Sequence, residues 1–302
     1  MIRKLLQKFK ELYQYRYLAR HEKGAYHFLL QKIYKSTDLN FLQHAWQLDY
    51  FREVLVPTPL ALEPIKKVLV LAPHQDDEVL GCGGTLCRLS QLGCSVQLLF
   101  LTDGAELSNP DKSVQIRKKE SENVANALKA QCNYLGISNI TFNISEAAFG
   151  KLVGVMNEGW DAICSIWPLD GPAKHRLCSY LVGKAVSISN YKGSILFYAV
   201  HTELLPNKYI DITEIVHQKK QLISLYPSQL KAQNYQHLSN GLDAWRSRFL
   251  PISEKARYLE VFMEIPAESY QDFQELYERS IAAEVFKGNE VCVEAFKKLK
   301  RL

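Results

Sequence analysis

The fold is decided by residues 68–84, which read VLVLAPHQDDEVLGCGG. The first five residues are apolar without polar alternation, which predicts a buried strand. One histidine and three carboxylates follow within five positions, and a run of small residues then favours a helix packed closely on the strand. Open α/β sheets place their sites at the carboxyl ends of strands. We therefore expect a site at which His74 and Asp77 hold a divalent metal, while Asp76 transfers protons beside it.

Composition places the chain among ordinary globular proteins. Its 302 residues are enough for one large domain or two, and 47% of them are apolar and 23% charged. The formal charge of +5 is too small to indicate a nucleic-acid partner. Seven cysteines without a CxxC pair indicate reduced thiols. With no run of 18 apolar residues and no signal-peptide pattern, we expect a cytoplasmic protein.

The chain is predicted to contain three segments. Residues 1–64 form a helical extension and a linker, which ends in a proline-rich connection. Residues 65–268 form the domain that carries the site, and residues 269–302 form a helical C-terminal segment. The first segment begins with apolar residues at helical spacing opposite lysine and arginine. Such a helix packs on its own domain or on a second copy of the chain, or lies on an anionic membrane surface, and the sequence leaves these alternatives open.

From Lys66 onward the patterns of strand and helix alternate. The predicted strands are 68–71, 96–101, 140–144, 162–166, 194–200 and 258–265. The predicted helices are 79–92, 113–135, 177–188 and 214–236. This order predicts a Rossmann-like α/β fold, with a mostly parallel sheet and helices on both faces.

The metal hypothesis needs three ligands. Zinc hydrolases take three protein ligands from histidine and carboxylate and leave a fourth position for water. The spacing His-x-x-Asp brings His74 and Asp77 to one ion and leaves Asp76 unbound beside it, whereas the alternative is a solvated acidic turn with an N-capping aspartate. His175 is the best third ligand, because it follows a predicted strand and opens a helix at the same edge of the sheet. His201, which also ends a strand, is the alternative ligand or a group that faces substrate.

Two motifs carry a resemblance to a known family. Residues 72–78 read APHQDDE and residues 81–85 read GCGGT. Together they resemble the A-H-P-D-D-E…G-G-T signature of the PIG-L/LmbE-like zinc de-N-acetylases, and weaker similarities extend from residue 66 to residue 265. The resemblance implies that His74, Asp77 and His175 bind Zn²⁺ or another divalent metal. It also implies Asp76 as general base.

The implied reaction is removal of an N-acetyl group from an amino sugar or glycoconjugate. A metal-bound water would be the nucleophile, and Asp76 would accept its proton. Arg117 and His201 would contact the substrate. In the alternative interpretation, Arg117 and Glu120 form a surface pair on a helix. The alternative function is a binding or scaffold protein on a catalytically degenerate deacetylase fold.

Two positions depart from the family pattern. The proline of A-H-P-D-D-E stands ahead of the histidine here, as Pro73, and the spacing from His74 to Asp76 is intact. The family has a histidine three residues before the third ligand, where it stabilises the developing oxyanion, and this chain has Pro172. His201 or Lys174 is the candidate for a compensating cation. Two acidic residues have expected supporting roles, since Asp103 would stabilise its loop and Glu78 would orient the turn.

Overall fold

The computed structural model describes residues 57–301, together with His44 and Gln47. The amphipathic helix predicted at residues 1–34 lies outside the described residues, as does most of the extension 1–64. Within the described part, no helix has the length and apolar character needed to span a bilayer.

Eight strands of the described chain form one sheet. They are β1 Thr58–Pro59, β2 Lys67–Ala72, β3 Ser95–Thr102, β4 Gln131–Ile137, β5 Ala162–Ile166, β6 Ser194–Tyr198, β7 Lys208–Asp211 and β8 Leu259–Pro266. Their order across the sheet is β1-β7-β8-β6-β5-β2-β3-β4. Strand β8 runs antiparallel to β7 and β6, and the other neighbouring pairs are parallel.

The helices form two groups that cover the two faces of the sheet. They are α1 Asp77–Gln91, α2 Pro110–Leu128, α3 Glu146–Met156, α4 Ala173–Ile188, α5 Val216–Ser224, α6 Pro227–Leu230, α7 Tyr235–Arg246, α8 Tyr270–Arg279, α9 Ala282–Val285 and α10 Glu290–Leu299. Helices α1, α2, α5, α6 and α7 contact one another, and helices α3, α4, α8, α9 and α10 form the second set. This confirms the predicted Rossmann-like α/β fold with helices on both faces.

The central strands are buried because helices cover them on both sides. All five residues of β5 are buried, as are five of the six in β2. Continuous apolar runs are typical of strands covered on both faces. The chain leaves β2 toward β3 and β4 and then returns to β5 on the other side of β2. The carboxyl ends of β2 and β5 therefore flank the point where strand order reverses, which is where open α/β sheets bind ligands.

The predicted helix over residues 113–135 is wrong in its last seven residues. Helix α2 ends at Leu128, Lys129 adopts the left-handed conformation with φ 54°, and β4 follows. This strand lies at the edge of the sheet, with Gln131 and Asn133 exposed. Tyr134 stacks on Phe100 of β3, with ring centroids 5.8 Å apart. Residues 131–137 form a strand because they pair with β3. The apolar spacing within residues 113–135 contains no information about that partner.

Two further predictions are corrected by the structure. Residues 140–144 form a turn and a loop rather than a strand, and helix α3 follows where none was predicted. The helix predicted over residues 214–236 is divided into a 3₁₀ turn, Thr213–Ile215, and the helices α5, α6 and the start of α7. Pro227 opens α6, as proline does at a first helical position, because it has no N–H to donate within a longer helix.

Helix α1 is broken in its middle. Cys82 has non-helical angles, φ −144° and ψ 24°. The backbone N–H groups of Gly84 and Thr85 donate instead to the Glu260 carboxylate, at 2.8 and 2.7 Å, and the Thr85 hydroxyl donates to it at 2.7 Å. A carboxylate from β8 therefore caps the second half of α1, which explains the G-G-T part of the motif.

Glu260 belongs to a buried group of charges. Lys219 Nζ lies 2.8 Å from Glu260 Oε1 and 2.6 Å from Asp243 Oδ2. The side chains of all three residues are at most 1% exposed. Removing the Lys219 cation leaves the buried Glu260 carboxylate without its ion pair, and leaves Asp243 with only the guanidinium of Arg246, 3.6 Å from its Oδ1.

We expect Lys219→Met to lower the free energy of unfolding by about 3–5 kcal/mol, the usual effect of breaking a buried ion pair. The measurement is urea unfolding followed by circular dichroism. Lys220→Met, one position along α5, is the matched control and should change the free energy by less than about 0.5 kcal/mol. Equal values for the two variants would show that the buried charges do not stabilise the fold.

Candidate metal centre

The turn after β2 is held in a strained conformation. Asp76 has φ 123° and ψ −26°, a region that residues with a Cβ rarely adopt. Its N–H donates to Glu78 Oε2 at 3.1 Å, and the N–H of His74 donates to Asp77 Oδ2 at 2.9 Å. Backbone strain of this kind persists where surrounding contacts enforce it, and it concentrates at functional sites.

Glu78 has the orienting role that we expected from the sequence. Its side chain is fully buried, and Tyr226 donates its hydroxyl proton to Oε1 at 2.5 Å. Burial raises the pKa of Glu78 to about 7, although the Tyr226 hydrogen bond acts in the opposite direction. Because Asp77 and Glu78 are buried, the alternative of a solvated acidic turn is wrong.

Three donor atoms converge beside this turn. His74 Nδ1 lies 3.3 Å from Asp77 Oδ2 and 3.2 Å from His175 Nε2, and His175 Nε2 lies 3.4 Å from Asp77 Oδ2. A tetrahedral ion with bonds of about 2.0–2.1 Å, the length of a zinc–nitrogen bond, separates its ligand atoms by about 3.3–3.4 Å. The triangle of donors therefore has the dimensions of one face of such a tetrahedron.

His74 and His175 each carry their ring proton on the nitrogen that points away from the three donor atoms. Asn139 directs its NH₂ to the carbonyl of Ala105, at 3.0 Å, and so presents Oδ1 to His74 Nε2, at 3.0 Å. Asp170 Oδ2 lies 2.7 Å from His175 Nδ1. Each of these ring nitrogens is therefore assigned as an N–H donor, which leaves His74 Nδ1 and His175 Nε2 with lone pairs. Two lone pairs and a carboxylate oxygen then face one another, an arrangement that a cation stabilises.

Electrostatics at His175 favour positive charge. Burial alone lowers its pKa, but the carboxylates of Asp77 and Asp170 outweigh burial and raise it. Burial likewise opposes ionisation of Asp77, yet His175 and His74 hold the pKa of Asp77 well below its ordinary value. The residues present thus fit a bound divalent cation, in both donor chemistry and charge.

Sequence reasoning gave no role to Asp170 or Asn139. Asp170 is fully buried, and its second oxygen accepts the N–H of His201 at 3.0 Å and the hydroxyl of Thr202 at 2.9 Å. Its position in the loop between a buried strand and the His175 helix was the available signal. Asn139 had no comparable signal, because it follows β4, a strand that we had predicted as helix.

Asp103 helps to place Asn139. Its Oδ1 accepts the N–H of Asn139 at 2.8 Å and the N–H of Ala105 at 2.9 Å. Lys174 also contacts Asn139, donating from Nζ to its backbone carbonyl and, at 3.0 Å, to Oδ1. The ammonium group therefore supports the residue that orients His74.

Asp76 lies beside the donor atoms without joining them. It occupies the N-cap position of α1, but its side chain makes no capping hydrogen bond. It is 9% exposed, and burial together with the neighbouring charge of Asp77 raises its pKa well above the ordinary value. Asp76 is thus the N-cap residue by position, as the alternative expected, but its side chain does not cap the helix. A carboxyl of raised pKa suits a group that takes up and returns a proton.

Arg117 reaches the same region from α2. Its guanidinium donates to Gln229 Oε1 at 2.6 Å, to Glu106 Oε1 at 3.3 Å and to the carbonyl of Gln75 at 3.3 Å. Its positive charge lowers the pKa of Asp76, which places it near that carboxyl.

The surface pair of Arg117 with Glu120 is not what the structure contains. Glu120 instead accepts the N–H and the hydroxyl of Ser228, at 2.8 and 2.6 Å. It thereby fixes the start of α6, the helix that carries Gln229. Arg117 and Glu120, both on α2, therefore bind two adjacent residues of α6, Gln229 and Ser228.

The remaining candidate faces the donors from the end of β6. The ring of His201 lies with its centroid 5.2 Å from that of His175 and 6.5 Å from that of Tyr235. Pro172, where the family has a histidine, is the N-cap residue of α4 and extends no polar side chain toward the donors. His201 therefore lies beside the donor set but does not belong to it.

The region that carries these side chains matches a known protein family. The PIG-L family, described as GlcNAc-PI de-N-acetylase, matches residues 69–186. The diacetylchitobiose deacetylase of Thermococcus kodakarensis is 28% identical, over 55% of this chain and 70% of that protein.

Solved structures share the fold. The N,N'-diacetylchitobiose deacetylase of Pyrococcus horikoshii has a TM-score of 0.60 at 22% identity, covering 76% of this chain and 93% of its own. The 4-carboxy-2-hydroxymuconate hydratase of Pseudomonas putida KT2440 has a TM-score of 0.56 at 18% identity, covering 67% and 96%. One fold therefore serves two types of reaction in these proteins, so the likeness of structure alone does not decide the chemistry.

The matched residues include the whole set of donors, from His74 to His175, and Asp76 with them. The sequence motifs, the matched region and the curated relative agree with one another. Residues 69–186 are therefore similar to the PIG-L family of de-N-acetylases, and they contain every residue of the candidate site from His74 to His175.

Proposed function

We propose that this protein is a metal-dependent hydrolase that removes the acetyl group from an N-acetylated amino sugar or glycoconjugate. The observation that carries the proposal is the convergence of His74, Asp77 and His175, with the Asp76 carboxyl beside them and outside their set. The names of the two diacetylchitobiose deacetylases support a sugar amide as substrate.

His74, Asp77 and His175 would hold Zn²⁺ or another divalent ion. Such an ion, when bound, supplies polarisation of the amide carbonyl and acidifies the attacking water. For this chain, the support for zinc is the pair of imidazoles with one carboxylate, a donor set that zinc favours.

Asp76 performs the proton transfers. Its carboxylate accepts the proton of the attacking water and, once protonated, donates that proton to the nitrogen of the departing amine. Burial and the charge of Asp77, which raise its pKa, help it to hold the proton between the two steps. The strained backbone at Asp76 directs its side chain away from the capping position and leaves it available for this role.

His201 and Arg117 would bind the substrate. The ring centroid of His201 lies 5.2 Å from that of His175, which supports a role for its imidazole as a donor to the oxygen of the reacting amide, the role that the resemblance to the family implies for the position held here by Pro172. Arg117, whose orientation is fixed by Gln229, is placed to contact sugar hydroxyls. The complete donor set supports an enzyme over a degenerate binding protein.

Asp76→Asn tests the assignment of the base. We expect kcat to fall by about 10²–10⁴-fold, the usual contribution of general acid–base catalysis, while bound zinc stays stoichiometric. Acetate release from N,N'-diacetylchitobiose and N-acetylglucosamine is measured, with elemental analysis of the same samples. Asp111→Asn, an exposed aspartate on α2, is the control and should keep full activity. Full activity of zinc-loaded Asp76→Asn would refute the assignment.

Asp170→Asn tests whether the carboxylate behind His175 supports metal binding. Loss of its charge should weaken zinc affinity about 10–100-fold, because the carboxylate fixes the tautomer of His175 and increases its basicity. Competition with a chromophoric chelator measures this. The control is Asp161→Asn, since Asp161 also accepts backbone hydrogen bonds, from Lys66 and Lys67 at 2.7 and 2.8 Å, but at the start of β5. Similar losses of zinc affinity in both variants would mean that the effect is one of general stability.

Membrane contact through residues 1–34 remains a proposal based on the basic amphipathic pattern alone. The full chain should sediment with vesicles that contain anionic lipid and should stay in solution with neutral vesicles, because lysine and arginine supply much of the attraction. Equal sedimentation with both vesicle types, or with neither, would contradict the proposal.

A further inference from the structure

We propose that a cavity next to the donor residues is a subsite for the acyl chain of the substrate, so that the enzyme favours N-acyl groups longer than acetyl. This inference rests on the proposed function. The cavity has a volume of about 300 Å³, and its walls include Leu80, Val200, Leu238 and Leu242 together with the rings of His201 and Tyr235.

The cavity lies beside the candidate metal centre and shares His201 with its surroundings. His201 forms part of its wall, and the centroid of the His201 ring is 5.2 Å from that of His175. Leu80 lies on α1, three residues after Asp77. The opposite wall carries Tyr235, whose ring meets that of His201 edge-on at 6.5 Å. The cavity is thus next to the donors, with the His201 ring and Leu80 between them.

The surface of the cavity available to a ligand is mainly apolar. Thr202 donates its hydroxyl proton to Asp170 at 2.9 Å, and Glu203 lies 3.7 Å from the buried guanidinium of Arg246. The Ser239 hydroxyl donates to the carbonyl of Leu80 at 3.4 Å. The hydroxyl protons of Thr202 and Ser239 are therefore donated within the protein, whereas the Glu203 carboxylate is 41% exposed at the edge of this otherwise apolar wall.

Leu238 is the clearest sign that the cavity takes an apolar group. It is 47% exposed, although it stands in a concave surface beside Tyr235 and Leu242. Apolar side chains gathered in a concave surface favour apolar ligands, because binding removes both surfaces from water. A hydroxyl-rich sugar ring would gain little from these walls.

The chemistry of an amide distinguishes the two sides of the site. The scissile bond joins an acyl carbon to an amine, and in the proposed substrate the amine belongs to a sugar. Around Asp76, the guanidinium of Arg117 with Gln229 and Glu106 offers polar contacts suited to sugar hydroxyls. The apolar cavity matches the remaining substituent, which is the acyl chain.

Size and connection favour the acyl chain over an apolar aglycone. A volume of about 300 Å³ equals about ten water molecules at about 30 Å³ each, which is far more than the methyl group of acetate needs. The first carbon of an acyl chain is bonded to the reacting carbonyl carbon, which must lie at the donors. An aglycone is separated from that carbon by the sugar ring. We therefore expect chains of about four to eight carbons to fill the cavity.

The test uses zinc-loaded full-length protein and alkyl hydroxamates, which chelate a metal through their polar end and need no turnover. Calorimetry compares acetohydroxamate with hexanohydroxamate, which adds four methylenes. Burying one methylene fully raises affinity about fourfold, and the open side of the cavity reduces this to about two- to threefold. The longer probe should therefore bind at least about tenfold more tightly.

Two variants locate the effect. Leu238→Trp fills the cavity and Leu238→Asp adds charge to it. Both variants should fold normally, because the Leu238 side chain is 47% exposed. Each should remove most of the preference for hexanohydroxamate and leave the affinity for acetohydroxamate unchanged. Leu92→Trp is the matched control, because Leu92 is 48% exposed and lies just beyond the other end of α1.

Equal affinities of the two hydroxamates in the native protein would overturn the proposal, as would a preference that survives both Leu238 variants. An octyl glycoside of N-acetylglucosamine is the second probe. The glycoside could bind more tightly than free N-acetylglucosamine and lose this advantage in Leu238→Trp. If the hydroxamates also show no dependence on chain length, the cavity holds the aglycone and the proposal is wrong.

The proposed function fails separately. A protein that hydrolyses no N-acyl sugar yet binds hexanohydroxamate more tightly would keep the cavity assignment and refute the reaction. A protein that releases acetate but binds both hydroxamates equally would keep the proposed reaction and refute the cavity assignment.

Discussion

The site depends on one constraint, which is that three basic atoms must be kept within 3.4 Å of one another in a buried pocket. Their mutual repulsion opposes folding unless a positive charge lies between them. Asn139 and Asp170 make the arrangement specific, because each holds a ring proton on the outer side of a histidine. Asp103 and Lys174 hold Asn139 in place, and the loop that carries Thr202 holds Asp170.

The fold class and the donor residues could be predicted from the sequence, because most of the site lies in one local stretch. The strand, the charged turn and the helix at residues 68–84 are consecutive, and the rule that places sites at strand ends also selected His175. The carboxyl ends of β2 and β5 are neighbours in the structure. The fold class followed from the alternation of apolar runs, which needs no knowledge of long-range contacts.

The errors have a common physical origin, which is pairing between distant segments. Strand β4 forms because β3 offers an open edge, and the helical pattern up to Leu128 contains no sign of that edge. The contacts of Arg117 and Glu120 with α6 are likewise formed across more than a hundred residues. Asn139 could not be identified for the same reason, since its place depends on the course of β4.

The break in α1 has a consequence for how the protein is made. The metal-binding turn and the first half of α1 are synthesised early, but the N–H groups beyond Cys82 are capped by Glu260 of β8, some 175 residues later. On the ribosome, the helix that carries Asp77 must wait for most of the chain before its second half is anchored. Shortened versions that end soon after residue 186, where the family match stops, would lack this anchor. A chain that retains the cap on α1 therefore extends to β8, well beyond the residues that match the family.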